Sequence, residues 1–146
     1  MGSEKDSPTM ESSLPFFQFF GVEAEFMVSS AHRQPSRTAE LAASARDQGY
    51  CAIVCGAGMA AHLAGMCAAQ SDLPVIGIPL AGGISDGLDA LLSTVQMPSG
   101  VPVATFAVGK AGAINAALFI ARMLSLSDIE VKRKLDVFRE NGCKLP

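Results

Sequence analysis

The sequence predicts an α/β fold built on a parallel sheet, and three observations carry that prediction. Short apolar runs alternate with helix-forming stretches along the chain. One run, Tyr50-Cys51-Ala52-Ile53-Val54-Cys55, is apolar almost throughout instead of alternating, the pattern of a strand covered on both faces. The helical stretches between runs supply the right-handed crossovers that parallel strands need.

Asp6-Ser7-Pro8-Thr9 combines a capping side chain with proline at the first helical position, which predicts a helix over 6–20, weakened at Pro15 and stopped at Gly21. Residues 24–29 are predicted as a short strand. Pro35-Ser36 opens a helix through 47 that Gly49 closes. A strand over 50–55 is then broken by Gly56. An Ala-rich helix over 60–70 leads to a buried strand over 74–78 and a Gly-rich stretch over 79–87. A helix over 88–95, a strand over 102–107, a turn over 109–112 and a helix over 113–124 follow. A last helix over 128–140 places Ile129, Val131, Leu135 and Phe138 at helical spacing. Four strands are thus expected.

Composition narrows the function. The 146 residues, 49% of them apolar, suffice for one domain spanning 1–146 with a real core. A net charge of −3 with scattered Lys and Arg offers no basic stripe for nucleic acid. No basic and then apolar leader opens the chain and no apolar stretch is long enough to span a bilayer, so a cytoplasmic protein without a membrane partner is expected. Cys51, Cys55, Cys67 and Cys143 form no C-x-x-C pair and read as small hydrophobes, with no metal site expected.

The only histidines, His32 and His62, each lie just past a predicted strand. Ligands of open α/β sheets bind outside the carboxyl ends of the strands, so the two should meet at one edge, and histidine is the side chain suited to moving protons near neutrality. Gly56, Gly58, Gly82 and Gly83 let backbone N–H groups approach a ligand, and Arg33 offers a planar fork for a phosphate or carboxylate. A small phosphorylated ligand is the natural inference.

Each feature also has a plainer reading. His32 beside Arg33 could be a solvated loop pair, and His62 a helix residue satisfied by a backbone carbonyl. Asp6 fits a helix cap, as Asp86 and Asp89 fit a helix N-terminus. Gly56-Ala57-Gly58 lacks the third glycine of a dinucleotide fingerprint, and no Walker-type Lys follows a glycine loop, which disfavours nucleotide cofactors. Ser29 and Ser30 have no elbow geometry for a serine hydrolase.

Longer strings carry more. Met1-Gly2-Ser3 with Asp6; Ser30-Ala31-His32-Arg33 with Pro35; Gly56-Ala57-Gly58 and Ala60-Ala61-His62-Leu63; Gly87-Leu88-Asp89; Val95-Gln96-Met97-Pro98; and Gly109-Lys110-Ala111-Gly112-Ala113 occur in order and at spacing. In these the chain resembles the N5-carboxyaminoimidazole ribonucleotide mutase family of purine biosynthesis over nearly its whole length.

The resemblance implies a flavodoxin-like three-layer α/β/α sandwich, a homo-octamer whose small residues serve subunit packing, and a nucleotide substrate, with no cofactor, ATP or metal. It implies migration of a carboxyl group from the exocyclic nitrogen to ring carbon 4. His32 would act as acid and then base, and His62 in support. Ser3, Asp6 and Arg33 would hold phosphate and ribose, with Ser30, Gly58 and Ala60 completing the substrate site. Transient contact with the carboxylase that makes the carbamate is also implied.

The family carries an apolar strand ahead of Met-Gly-Ser, so the resemblance predicts a sheet lacking its usual first strand before Met1 and leaving neighbouring edges unpaired. Met59 stands where the family has Gly, Ala64 where it has Pro, Lys5 where a small polar residue is common, and the Ala81-Gly82-Gly83-Ile84-Ser85 loop is altered. Direct carboxylation by free CO2, and a relative that binds a phosphorylated metabolite without catalysis, are the rival readings.

Overall fold

Glycine and proline placement decides where most elements begin and end. The computed structural model describes all 146 residues. The first stretch is a broken helical path: a 3-10 turn over Glu4–Asp6, helix α1 (Ser7–Met10), a second 3-10 turn over Glu11–Ser13, and α2 (Leu14–Phe20). Pro8 and Pro15 sit at the starts of α1 and α2, where a missing N–H costs nothing, and Gly21 at φ 74° ends the path. Ser3, not Asp6, is the side chain that caps the entrance, its hydroxyl accepting from the Lys5 amide.

Helix α3 (Pro35–Ser44) is followed by β1 (Ile53–Ala57), α4 (Leu63–Gln70) and β2 (Val75–Pro79). Then come α5 (Leu88–Val95), β3 (Ala104–Thr105), α6 (Lys110–Leu124) and α7 (Ile129–Glu140). The strands run parallel in the order β1-β2-β3, with Ile53 opposite Val75 and Ile76 opposite Ala104. Helices cover both faces. Met10, Phe17, Ala113, Ala117 and Ile120 pack on Ile76 and Ile78 from one side. On the other, Ala42, Leu63, Ala64 and Cys67 pack on Cys55 and Val75. Every residue of β2 is buried, as expected of the middle strand.

The expectations need four corrections. Gly56 does not break β1 but lies inside it: Met10 packs so closely that a Cβ at Gly56 would fall 2.3 Å from its sulfur. β3 is shorter than 102–107, although the Phe106 and Gly109 amides still reach the Gly77 and Pro79 carbonyls of β2. α6 starts at Lys110, because Gly109 at φ 74° turns the chain at once and the absent Cβ of Gly112 lets the helix press on the Ala107 carbonyl.

The fourth concerns residues 24–29, which pair into no ladder with β1, so the sheet has three strands. A strand needs a neighbour within about 5 Å. Between residues 22–27 and β1 lies instead a cavity of about 920 Å³. Met1 and Gly2 bridge one end of it: the Met1 ammonium donates to Met27 O (2.7 Å), Ser29 N to Met1 O (2.9 Å), and Gly2 N to Gly56 O (3.0 Å).

Two cysteines, Cys55 and Cys67, are buried in the core and lie against each other, where the hydrogen bond to the Cys67 sulfur and then burial push the Cys55 thiol up. Cys51 and Cys143 are exposed. No helix is long and apolar enough to cross a membrane.

Candidate active site

The carboxyl ends of the strands open onto one edge, and backbone hydrogen bonds gather five segments there. Gly2 N to Gly56 O sets the Ser3–Asp6 turn beside the end of β1, and Ser29 N to Met1 O sets the 30–34 loop on its other flank. Leu80 N donates to Ala57 O, and Gly109 N to Pro79 O, which draws in the loops after β2 and before α6.

Within this edge the imidazoles of His32 and His62 are stacked, ring centres 5.1 Å apart and planes 26° from parallel. His32 lies in an exposed turn whose Ser30 hydroxyl accepts from Arg33 N (3.3 Å) and whose Ser30 carbonyl accepts from Gln34 N (2.7 Å). His62 is the cap residue of α4 and its carbonyl receives Met66 N, the first bond of the helix. Neither ring is hydrogen-bonded to the protein, so His62 is not the carbonyl-satisfied helix residue that its Ala-rich surroundings allow.

Arg33 is exposed and belongs to none of the ion pairs, which join Arg46 to Asp72, Lys132 to Asp136 and Arg133 to Glu130. Its guanidinium is therefore free to meet an anion. Asp6 is partly buried, with Oδ2 3.8 Å from where a Cβ of Gly2 would lie, an ordinary contact distance. Burial pushes the Asp6 carboxyl above its ordinary value, while the Ser3 amide and the Met1 ammonium pull the other way.

Gly58 and Ala60 flank Met59 in the turn after β1. A Cβ on Gly58 would meet Leu80 O at 3.5 Å, an ordinary contact, so its bareness leaves backbone open and relieves no clash. Met59 adopts φ 56° and is 65% exposed, a left-handed conformation that a side chain disfavours. The family's glycine at this point was the signal.

The 81–87 loop corrects another expectation. Its amides do not all face a ligand: Gly82 N donates to Asp86 Oδ1 (3.0 Å) and Ile84 N to Asp89 Oδ2 (3.1 Å). The two aspartates that read as helix-start residues thus fold the loop back on itself, with Ser85 at φ 47° and Asp86 at φ 53° between the turns. Their spacing to Gly82 and Ile84, i to i+4 and i+5, was visible in the chain, but the backbone reversal that uses it was not.

A parallel sheet wrapped by helices, with a histidine pair and an unpaired arginine at its carboxyl edge, defines an α/β protein with a small-molecule site at that edge. The AIR carboxylase family model matches residues 1–144, and the chain belongs to that family. It is 50% identical to the N5-carboxyaminoimidazole ribonucleotide mutase of Bacillus subtilis over 97% of this chain and 87% of that protein. With the enzyme of the same name from Escherichia coli it shares 45% identity over 96% of this chain and 83% of the other. The crystal structure of Treponema denticola PurE superposes with a TM-score of 0.85 at 25% identity, covering 97% of this chain and 87% of that one.

Proposed function

We propose that the chain converts N5-carboxyaminoimidazole ribonucleotide to 4-carboxy-5-aminoimidazole ribonucleotide in purine biosynthesis. The observation that carries this reading is the stacked, unbonded histidine pair at the edge flanked by the Ser3–Asp6 turn and the loop that carries Arg33. Relatives at 45–50% identity bear the name of that mutase.

His32 gives a proton to the exocyclic nitrogen as the N–C bond to the carboxyl group breaks, leaving an amine and CO2. The electron pair at ring carbon 4 then attacks CO2, and the proton on that carbon returns to His32. Atoms and charge balance without a cofactor, and the histidine ends as it began. General acid-base catalysis of this kind needs a donor within hydrogen-bond reach of both atoms. His62, stacked on His32, supports its orientation. Arg33 and Ser3 take the phosphate, Asp6 the ribose, and Ser30, Gly58 and Ala60 line the same edge. Exclusion of water from this edge would keep the freed CO2 beside ring carbon 4.

The chain acts in the cytoplasm as a homo-octamer and meets the enzyme that supplies the carbamate transiently. An apolar stripe on α5, Leu88, Leu92 and Val95, each roughly half exposed, supports self-assembly. The small residues of α6 do not serve it: Ala113, Ala116, Ala117 and Ala121 are buried inside the chain itself.

Turnover measured separately with the carbamate nucleotide, and with aminoimidazole ribonucleotide plus bicarbonate, tests the reading. A strong preference for the first is expected; a preference for the second would make the chain a direct carboxylase, and no turnover of either would leave a binding protein.

A further inference from the structure

The chain that leaves β1 has little freedom in where it goes. Leu80 N donates to Ala57 O, and a Cβ on Gly58 would lie 3.5 Å from Leu80 O and 3.8 Å from Ala81 O, so the backbone here is laid against the start of the 81–87 loop. Two three-residue turns follow at once, closed by Ala61 N to Met59 O (2.9 Å) and His62 N to Ala60 O (2.7 Å). Three residues of chain span at most about 11 Å, and these turns bring Met59 and His62 closer than that.

Burial sorts the turn into two sides. Ala61 and Leu63 are buried and anchor it, whereas Met59, Ala60 and His62 are exposed. Met59 therefore shares the solvent side of the turn with His62, whose ring stacks on that of His32. Of the seven methionines in the chain it is the only exposed one.

The free chain gives this side chain nothing to rest on. Its backbone is held at φ 56°, where a Cβ is disfavoured, and the residue is 65% exposed. Strain of this kind at the rim of an open site points to a use in the bound state. The other side chains assigned to substrate, His32, Arg33, Ser3, Asp6 and Ser30, are all polar and take the proton, phosphate and ribose; none offers an apolar contact to a flat ring. Methionine can. Its unbranched side chain has three rotatable bonds, so it reaches a ligand without backbone movement, and its polarisable sulfur packs favourably on aromatic systems.

We infer that Met59 is a specificity-determining residue of this site, whose thioether closes over the planar heteroaromatic ring of a bound nucleotide and so favours the nucleotide over a sugar phosphate that lacks the ring. The inference rests on the proposed mutase reading for its ligand. A glycine at this position, as the family has, leaves that contact unmade.

The test is oxidative footprinting with dilute hydrogen peroxide, read methionine by methionine from peptide masses, on the chain alone, with saturating aminoimidazole ribonucleotide, and with saturating ribose 5-phosphate. Met59 is expected to oxidise fastest of the seven in the free chain and to slow at least fivefold with the nucleotide, while ribose 5-phosphate leaves it unchanged. Calorimetric titration of Met59→Gly should show Kd for the nucleotide raised about threefold to tenfold, the range of a sulfur–aromatic contact, with Kd for ribose 5-phosphate unaltered. Nucleotide binding without protection of Met59 overturns this inference and leaves the mutase reading standing; no binding of the nucleotide overturns both. Equal protection by ribose 5-phosphate, or an equal loss of affinity for both ligands in Met59→Gly, makes Met59 a loop residue without ring contact and overturns the inference. Slow oxidation of Met59 in the free chain, the sign that a second copy covers it, overturns it as well.

Discussion

The imidazole of His62 lies over that of His32, ring centres 5.1 Å apart, although the two residues come from separate loops. The stack couples the position of His32, the proposed acid-base residue, to the first turn of α4. His32→Asn, which keeps a polar group of similar reach but cannot shuttle the proton, is expected to lower kcat by roughly two orders of magnitude or more with little change in KM. His62→Asn removes only the stacking partner and should cost about tenfold. Steady-state kinetics on both variants checks the ranking, and an equal loss in the two would cancel the division of labour.

Met59 holds a left-handed backbone with its side chain largely in solvent, so the strain brings no packing in return. Met59→Gly should stabilise the chain by about 1 kcal/mol, since only glycine enters this region freely. Thermal unfolding should show Tm higher by about 2–4 °C.

Burial raises the Asp6 pKa, so the folded state holds this proton more tightly than the unfolded chain does. Stability from the protonated form is fully present below the unfolded pKa and is lost as pH rises through the folded one. Asp6→Asn removes that loss. The variant should match the parent in acid, become the more stable of the two as pH rises across the carboxylate range, and keep a constant advantage above it. Its turnover should nonetheless fall about tenfold or more if the carboxylate bonds the ribose. Unfolding curves from acid to neutral pH, paired with one assay, separate the two effects.

Asp89 holds the Ile84 amide at 3.1 Å, and its own backbone carbonyl receives the Ser93 hydroxyl. Asp89→Ala leaves that amide and the strained Ser85-Asp86 pair without their anchor. The expected result is a rise in KM of several-fold and faster amide exchange over 82–87, with a stability cost of about 1 kcal/mol. Unchanged exchange would show that Asp86 and the glycines hold the loop alone.

Leu92 is 50% exposed at the centre of the α5 stripe. A charge there is costly in an apolar interface and nearly free on a solvated face. Leu92→Glu should therefore reduce the mass seen by light scattering while leaving the far-ultraviolet circular dichroism of the chain unchanged. A monomeric parent would remove the basis for the octamer.

Much of this was legible in the chain because it depends on local order. The apolar run at 50–55, the Pro and Gly at helix ends, and the spacing of Val131, Leu135 and Phe138 are short-range signals, and they led to the right fold class and to α5 residue for residue. The ordered strings around His32 and His62 likewise pointed to the family. What the chain alone did not determine depends on neighbours distant in sequence. Gly56 looks like a strand breaker until Met10 is seen packed against it, and residues 24–29 look like a strand until the space beside them is found without a partner. Asp86 and Asp89 do sit at helix starts, but only the backbone reversal shows that their carboxylates also hold the Gly82 and Ile84 amides. Strand pairing, ring stacking and loop closure are set by which surfaces meet, and only the tertiary structure brings His32 against His62 or leaves a slot between Met27 and Val54.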